Sequence, residues 1–151
     1  GEQMKTQSPL VTLRELAQKD VEKAAGQLGQ VRQAHQQAEQ QLDMLLNYQD
    51  DYRQKLNSTM SSGMANNSWQ NYQQFIRTLD SAIEQHRQQL SQWTSRLDLA
   101  MKTWQEKQQR LNAFEKLQDR ELTRQLAKEN KIEQKQMDEF AQRASQRKTE
   151  S

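Results

Sequence analysis

The sequence predicts an all-α protein, a long two-helix antiparallel coiled coil (a helical hairpin) with a C-terminal helical overhang. Two seams of mostly apolar residues repeat at alternating three- and four-residue steps, and a break rich in Ser, Asn and Gly separates them. Such spacing keeps one stripe of each helix facing a partner helix. Only 32% of the residues are hydrophobic and 6% are aromatic, which argues against a compact multilayer core.

Helix one is predicted over residues 9–57. Ser8 suits the N-cap position, and Pro9 suits the first helical position, where its missing N–H leaves no hydrogen bond unmade. Residues 1–8 are expected to form a flexible N-terminus or an expression remnant. The first seam comprises Ala17, Val21, Ala24, Leu28, Val31, His35, Ala38, Leu42, Leu45, Gln49, Tyr52 and Leu56.

A connecting loop is predicted over residues 58–68. Ser, Asn and Gly are concentrated there, and these residues compete with helix through local hydrogen bonds or backbone freedom. Either Asn67 or Ser68 is predicted to cap helix two. The residues that carry this break are Asn57, Ser58, Ser61, Ser62, Gly63, Asn66, Asn67 and Ser68.

Helix two is predicted to pair with helix one over residues 69–117. Folding back about the loop sets Leu45 against Leu79 and Leu42 against Ile83, so that apolar residues meet almost throughout. The second seam comprises Trp69, Tyr72, Ile76, Leu79, Ile83, His86, Leu90, Trp93, Leu97, Ala100, Trp104, Lys107, Leu111 and Phe114.

Residues 118–151 are predicted to form a helical or frayed extension, because helix one has no residues left to pair with them. An unpaired helix is marginal in water, so we expect it to fray alone and to order on a partner. A fully disordered tail is the alternative. Its apolar residues are sparse: Leu122, Leu126, Ile132, Met137 and Phe140.

No pattern for catalysis, a cofactor or a metal site is present in the sequence. There is no Cys, no glycine-rich phosphate loop and no nucleophile with a recognisable base. His35 and His86 fall on seam positions of opposite helices without further ligands, and His35 is expected to specify register. No apolar run approaches the roughly 20 residues of a membrane span. We therefore expect a soluble intracellular protein without enzymatic activity.

Charge gives one further pattern, a basic stripe in the extension. The chain carries 22 basic and 20 acidic residues, so its net charge of +2 does not favour strong attraction to polyanions. A merely solvated helix face, a protein contact and a nucleic-acid contact all remain open for the stripe. Its members follow one another at steps of four, four, three and four: Arg120, Arg124, Lys128, Lys131 and Lys135.

The flanks of the two seams are predicted to differ. With Leu42 and Ile76 at heptad position a, the g positions near the loop include Tyr48, Phe75 and Ala82, and both g edges lie on one side of an antiparallel pair. An apolar strip should form there. It is either a partner surface or a cover for a two-helix core. The opposite e edges hold Leu46, Arg53, Asp80 and Arg87.

Three strings also carry a resemblance to a known family: WQNYQQFI at 69–76, NYQDDYR at 47–53 and QMDEFAQRA at 136–144. Together they closely resemble FliJ, the soluble cytoplasmic component of the bacterial flagellar type III export apparatus, in its enterobacterial form. The match runs from about Met4 to Glu150.

The resemblance implies a coiled coil similar in shape to the central stalk of rotary ATPases. It implies a non-enzymatic adaptor and general chaperone in flagellum biogenesis, protein transport and chemotaxis. Such a protein promotes assembly of the export ATPase ring, couples the ring to the export gate and escorts substrate chaperones. Its implied partners are the export ATPase FliI, the regulator FliH, the export gate protein FlhA and export chaperones such as FlgN and FliT. The implied location is the cytoplasm, peripherally at the inner face of the cell membrane at the flagellar base. A monomer without cofactors is expected.

Two sets of site residues are expected, and only the first is implied by the resemblance. The export-gate binding pattern carries over as Gln41, Leu45, Tyr48, Tyr52, Phe75, Leu79, Ala82 and His86. The end that faces the ATPase is predicted, on the pairing and the basic stripe, at Arg14, Leu111, Phe114, Arg120, Arg124, Lys128, Lys131 and Lys135. Two rival functions are a passive coiled-coil spacer or oligomerisation module, and a nucleic-acid binder that uses the basic stripe.

Overall fold

The computed structural model describes residues 8–61, 63 and 65–150. Two helices, α1 (Pro9–Ser61) and α2 (Asn66–Glu150), make up nearly all of that part of the chain and pack against each other. The predicted all-α helical hairpin is confirmed. Residues 1–7 of the predicted N-terminal segment, together with Ser151, lie outside the described residues.

The start of α1 has the predicted cap. The Ser8 Oγ accepts a hydrogen bond from the Leu10 N–H at 3.2 Å, and the Ser8 carbonyl accepts one from the Val11 N–H at 3.0 Å. Pro9 occupies the first helical position, where no intrahelical bond from its nitrogen is needed. The cap therefore satisfies backbone groups that would otherwise lack partners.

Both helices reach further into the predicted loop than the sequence indicated. α1 runs four residues beyond Asn57, and α2 begins three residues before Trp69. The propensity penalty of Ser, Thr and Asn is only about 0.5 kcal/mol per residue, which hydrogen bonding within a continuous helix outweighs. Thr59 bonds back to the Lys55 carbonyl at 2.8 Å instead of breaking the helix.

The turn itself depends on glycine. Gly63 has a φ of +83°, a left-handed conformation that favours glycine, and its N–H donates to the Met60 carbonyl at 3.3 Å. The predicted caps Asn67 and Ser68 were wrong, because both lie within α2. The Ala65 carbonyl accepts the Trp69 N–H at 3.1 Å.

The chain divides into two units, which we call the central unit (Glu22–Glu106) and the terminal unit (Gly1–Val21 and Lys107–Ser151). The centre of the core in the central unit consists of Leu42, Leu79 and Ile83, which are 8%, 6% and 5% exposed. Both predicted pairs, Leu42 with Ile83 and Leu45 with Leu79, fall in this cluster. The half-buried residues packed against it are Leu45, Leu46, Phe75 and Leu90.

A polar contact joins the two helices within the central unit. The His35 Nε2 lies 3.1 Å from the Thr94 Oγ1, and its Nδ1 lies 3.0 Å from the Glu39 carboxylate. The Thr94 Oγ1 also lies 2.9 Å from the Leu90 carbonyl oxygen, and the imidazole tautomer sets which of Nε2 and Oγ1 donates. The contact joins His35 of α1 to Thr94 of α2. That His35 specifies the register stays a prediction.

The terminal unit has a small core and a long exposed helix. Ala17, Val21 and Leu111 are buried, and Arg14 forms an ion pair with Glu115 at 3.8 Å. Every described side chain from residue 119 to residue 149 is exposed. The extension predicted over 118–151 is thus helical as far as Glu150.

Candidate partner-binding surface

Four aromatic rings from both helices form one group in the central unit, which we call the aromatic cluster: Tyr48, Tyr52, Tyr72 and Phe75. Tyr52 stacks on Phe75 with ring centroids 4.3 Å apart and lies 5.7 Å from Tyr72 in a tilted arrangement. Tyr48 approaches Tyr52 at 5.5 Å and the edge of Phe75 at 6.2 Å. The rings therefore join the helices close to their connection.

Helical spacing explains why these rings meet. Tyr48 and Tyr52 are four residues apart on α1, and Tyr72 and Phe75 are three apart on α2, so each pair shares a helix face. Each aromatic contact contributes about 0.5–1.5 kcal/mol beyond the burial of area. Tyr48 nevertheless remains 51% exposed, so the cluster also presents apolar surface to solvent.

The structure brings five of the eight predicted gate-binding residues together. Leu45, Leu79 and Phe75 belong to the core cluster, while Tyr48 and Tyr52 contact Phe75 through their rings. Leu79 is only 6% exposed, so it offers a partner almost no surface, and Phe75 packs against the core cluster to which Leu79 belongs.

The remaining three predicted gate-binding residues lie one heptad from the cluster. Gln41 is seven residues before Tyr48 and is exposed. Ala82 and His86 are seven residues after Phe75 and Leu79, respectively, and are half-buried. A heptad repeat returns to nearly the same helix face, so these positions extend the face that the cluster occupies.

Tyr72 belongs to the cluster but was not among the predicted site residues. It was assigned only to the seam, as a residue that faces the other helix. The sequence could have indicated Tyr72, because the antiparallel pairing that sets Leu45 against Leu79 also sets Tyr52 against Tyr72. Its half-buried ring shows that this seam position also reaches the surface.

The e edges carry polar contacts rather than rings. Asp80 accepts a hydrogen bond from the Gln49 side-chain amide and lies 4.0 Å from the Arg53 guanidinium. Both side chains of that ion pair are about half exposed, so its contribution to stability is small. Apolar rings at the g edge and polar pairs at the e edge give the central unit two chemically different flanks.

The residues predicted to face the ATPase have different exposures within the terminal unit. Leu111 is 4% exposed and offers a partner almost no surface, whereas half-buried Phe114 lies under the Arg110 guanidinium at 5.8 Å. Arg14 is held by Glu115. The basic stripe is exposed along its length, at Arg120, Arg124, Lys128, Lys131 and Lys135.

The described residues contain no group of three or more His, Cys, Asp or Glu that could hold a metal ion. Over the same residues, no helix combines the length and the apolar character needed to cross a bilayer. The described surface presents aromatic rings, glutamine amides and exposed charges.

Comparison with known proteins gives a consistent result. A family model described as "Flagellar FliJ protein" matches residues 5–150. The chain is 56% identical over 141 residues to the flagellar FliJ protein of Escherichia coli (strain K12), covering 93% of this chain and 96% of that protein. It has the same identity and coverage with the flagellar FliJ protein of Salmonella typhi.

Proposed function

The chain belongs to the flagellar FliJ protein family, and from this membership we propose that it is a non-enzymatic adaptor and general chaperone of flagellar protein export. One surface binds the export gate protein FlhA, and another binds the export ATPase FliI with its regulator FliH. Export chaperones such as FlgN and FliT are further partners. The protein acts in the cytoplasm, peripherally at the inner face of the membrane at the flagellar base.

The observation that carries the gate contact is the aromatic cluster. A ring such as Tyr48 that is 51% exposed, supported by other rings and by a packed core, resembles the anchors that dominate protein interfaces. The ring contacts hold these side chains in place before a partner arrives, so little side-chain entropy is lost on binding. On the opposite flank, none of the described e-edge residues Leu46, Arg53, Asp80 and Arg87 is aromatic.

The ATPase contact is assigned to the terminal unit, with the basic stripe and the surface around Arg14 and Phe114 as its residues. Binding that prefers the assembled ATPase ring over free subunits shifts the equilibrium toward the ring. No chemical step by this chain is needed. An exposed stripe of like charges is suited to an acidic protein surface, where complementary charge speeds association.

Alanine substitutions test the gate contact. Phe75→Ala and Tyr48→Ala should each weaken binding to purified FlhA by about tenfold or more, as expected for interface anchors. Isothermal titration calorimetry measures the affinity, and circular dichroism checks the helicity. Phe140→Ala, at a ring that is 74% exposed outside the cluster, is the matched control and should bind normally. Unchanged affinity of both folded variants would contradict the site.

Truncation after Leu117 tests the ATPase contact. The truncated chain keeps the buried residues Ala17, Val21 and Leu111 but loses the basic stripe. Stimulation of the ATPase should fall severalfold at low salt. A full-length variant with all five basic residues changed to Gln keeps the length of the extension and removes only its positive charge. It therefore shows how much of the stimulation depends on charge. A truncated chain that stimulates as well as the full chain would overturn the assignment of the extension.

The alternative function is a passive spacer or oligomerisation module. The extension exposes Leu122, Leu126 and Phe140, and exposed apolar side chains of this kind could pair with a second copy of the chain. Sedimentation velocity separates the two proposals. We expect a monomer at micromolar concentration, whereas a stable dimer or tetramer would favour the module.

Nucleic-acid binding is the remaining alternative for the basic stripe. Glu121, Glu129 and Glu133 are interspersed with the stripe, and the chain as a whole is nearly neutral. We therefore expect weak retention on DNA at physiological salt. Tight retention that falls steeply as salt rises would support the nucleic-acid reading instead.

A further inference from the structure

A small cleft opens beside the aromatic cluster, and the predicted gate-binding residues cover only part of its lining. Its volume is about 260 Å³, and it is lined by Tyr52, Asn71, Tyr72 and Phe75. A water molecule takes up roughly 30 Å³ in the liquid, so the cleft has room for a group much larger than a single water. Asn71 and Tyr72 are the two lining residues outside the predicted set.

The walls of the cleft are chemically specific. Three of the four lining side chains are rings, held against one another by the stacked contact of Tyr52 with Phe75 and the tilted contact of Tyr52 with Tyr72. The fourth, Asn71, is exposed and carries an amide that can both donate and accept hydrogen bonds. One polar group at the edge of an apolar recess is the usual composition of a specific side-chain pocket.

We propose that this cleft is a subsite for one aromatic side chain of the export gate protein, and that Asn71 hydrogen-bonds the main chain next to that residue. The proposal rests on the proposed function for the identity of the partner. It adds Tyr72 and Asn71 to the binding surface and extends that surface along α2 toward the connection at Gly63.

Two observations favour this occupant. An aromatic ring gains offset or edge-to-face contacts with the ring walls beyond the burial of area, and an aliphatic group does not. The cleft is also continuous with the aromatic cluster, because Tyr52 and Phe75 belong to both. A partner that covers the cluster therefore comes within reach of the cleft.

The test measures the affinity of the full chain for purified FlhA by calorimetry. Tyr72→Ala removes one wall and should weaken binding by about tenfold, while Tyr72→Phe keeps the ring and should bind normally. Asn71→Ala should weaken binding by about threefold. Asn71→Trp leaves every wall in place but fills the cleft from its exposed side, and should weaken binding as much as Tyr72→Ala.

The controls separate failure of the subsite from failure of the proposed function. Asn112→Ala replaces an exposed Asn of the terminal unit and should leave binding unchanged. If Phe75→Ala weakens binding while Tyr72→Ala and Asn71→Trp do not, the subsite is overturned and the gate contact stands. If no variant changes the affinity, both proposals fail.

The identity of the occupant has its own readout. On the partner, replacing the docked aromatic residue by Leu should reproduce the loss seen with Tyr72→Ala, and should add little when combined with it. An additive loss would overturn the assignment of that residue to the cleft. Self-association of this chain that Asn71→Trp abolishes would show that a second copy occupies the cleft, and would also overturn the proposal.

Discussion

The part of α2 in the central unit and the part that forms the extension differ in how far their apolar side chains are buried. In the central unit Leu79 and Ile83 are 6% and 5% exposed, whereas Leu122 and Phe140 of the extension are 56% and 74% exposed. Both stretches are α-helical. Helix formation and burial are therefore separate outcomes in this chain. Helix-forming side chains are enough for a helix, whereas burial also requires a facing helix.

The aromatic residues of the two stretches also differ in packing. Phe75 touches two other rings and the central core, while the Phe140 side chain is mostly exposed. A ring held by neighbours is prepared to bind, whereas an isolated exposed ring must be ordered by its partner at an entropic cost. We therefore expect the cluster to act as a preformed surface and the extension to be ordered further on binding.

The largest difference in the free energy of unfolding should come from replacing one leucine by alanine in each stretch. Leu79→Ala removes a buried side chain from the core cluster and should lower the free energy of unfolding by about 2–4 kcal/mol. Leu126→Ala, at a side chain that is 50% exposed, should change it by less than about 0.5 kcal/mol. Urea unfolding followed by circular dichroism measures both, and equal effects would mean that the extension is packed in solution.

The second-largest difference between the two stretches should be in their rates of amide hydrogen exchange. Backbone amides around Leu79 and Ile83 should exchange at least about 100-fold more slowly than those of residues 119–149, because local opening of an uncovered helix breaks no tertiary contacts. Mass spectrometry of peptic fragments resolves the two regions. Adding the ATPase should slow exchange in the extension selectively, and similar protection of both stretches without it would contradict the comparison.

Helix propensity should have a global effect only where the helix is paired. Gly26 and Gly29 are exposed, and an added Cβ would meet no atom within 4 Å at either position. Gly26→Ala should therefore raise the free energy of unfolding by about 0.5–1 kcal/mol. Asn130→Ala in the extension should increase helicity without moving the main urea transition. A shift of the midpoint by Asn130→Ala would show that the extension unfolds together with the paired helices.

The smallest expected effect concerns the polar contact between the helices of the central unit. His35→Ala and Thr94→Val each remove one side of the bond at 3.1 Å and should lower the free energy of unfolding by only about 0.5 kcal/mol, because the contact is exposed to water. The double variant should lose less than the sum of the two, because both remove the same interaction. Strict additivity in urea unfolding would show that this hydrogen bond does not stabilise the native state.

Much of the fold followed from periodicity, because the same seam residues that repeat along the sequence become the buried residues. Leu42, Leu79 and Ile83 were paired from spacing alone and form one cluster. The helix ends were less predictable. Local preferences of Ser, Asn and Thr near residue 57 are worth only tenths of a kcal/mol, and a helix that is already formed continues through them.

The aromatic surface was only partly predictable, because the exposure of a ring depends on contacts between the two helices. The heptad positions of Tyr48 and Phe75 indicated an apolar g edge, but a heptad assignment places Tyr72 in the seam without saying how much of its ring stays accessible. That exposure depends on the ring orientations, which the contact of Tyr52 with Tyr72 sets in three dimensions. The cleft at Asn71 exists only as a consequence of those orientations.

By itself, the sequence determined the two helices, the seam that joins them and the family to which the chain belongs, because each depends on spacing or on identity along the chain. The tertiary structure decided which rings meet and which apolar residues stay uncovered. These outcomes depend on contacts between residues far apart in the chain, whose free energies are summed only when the helices pack.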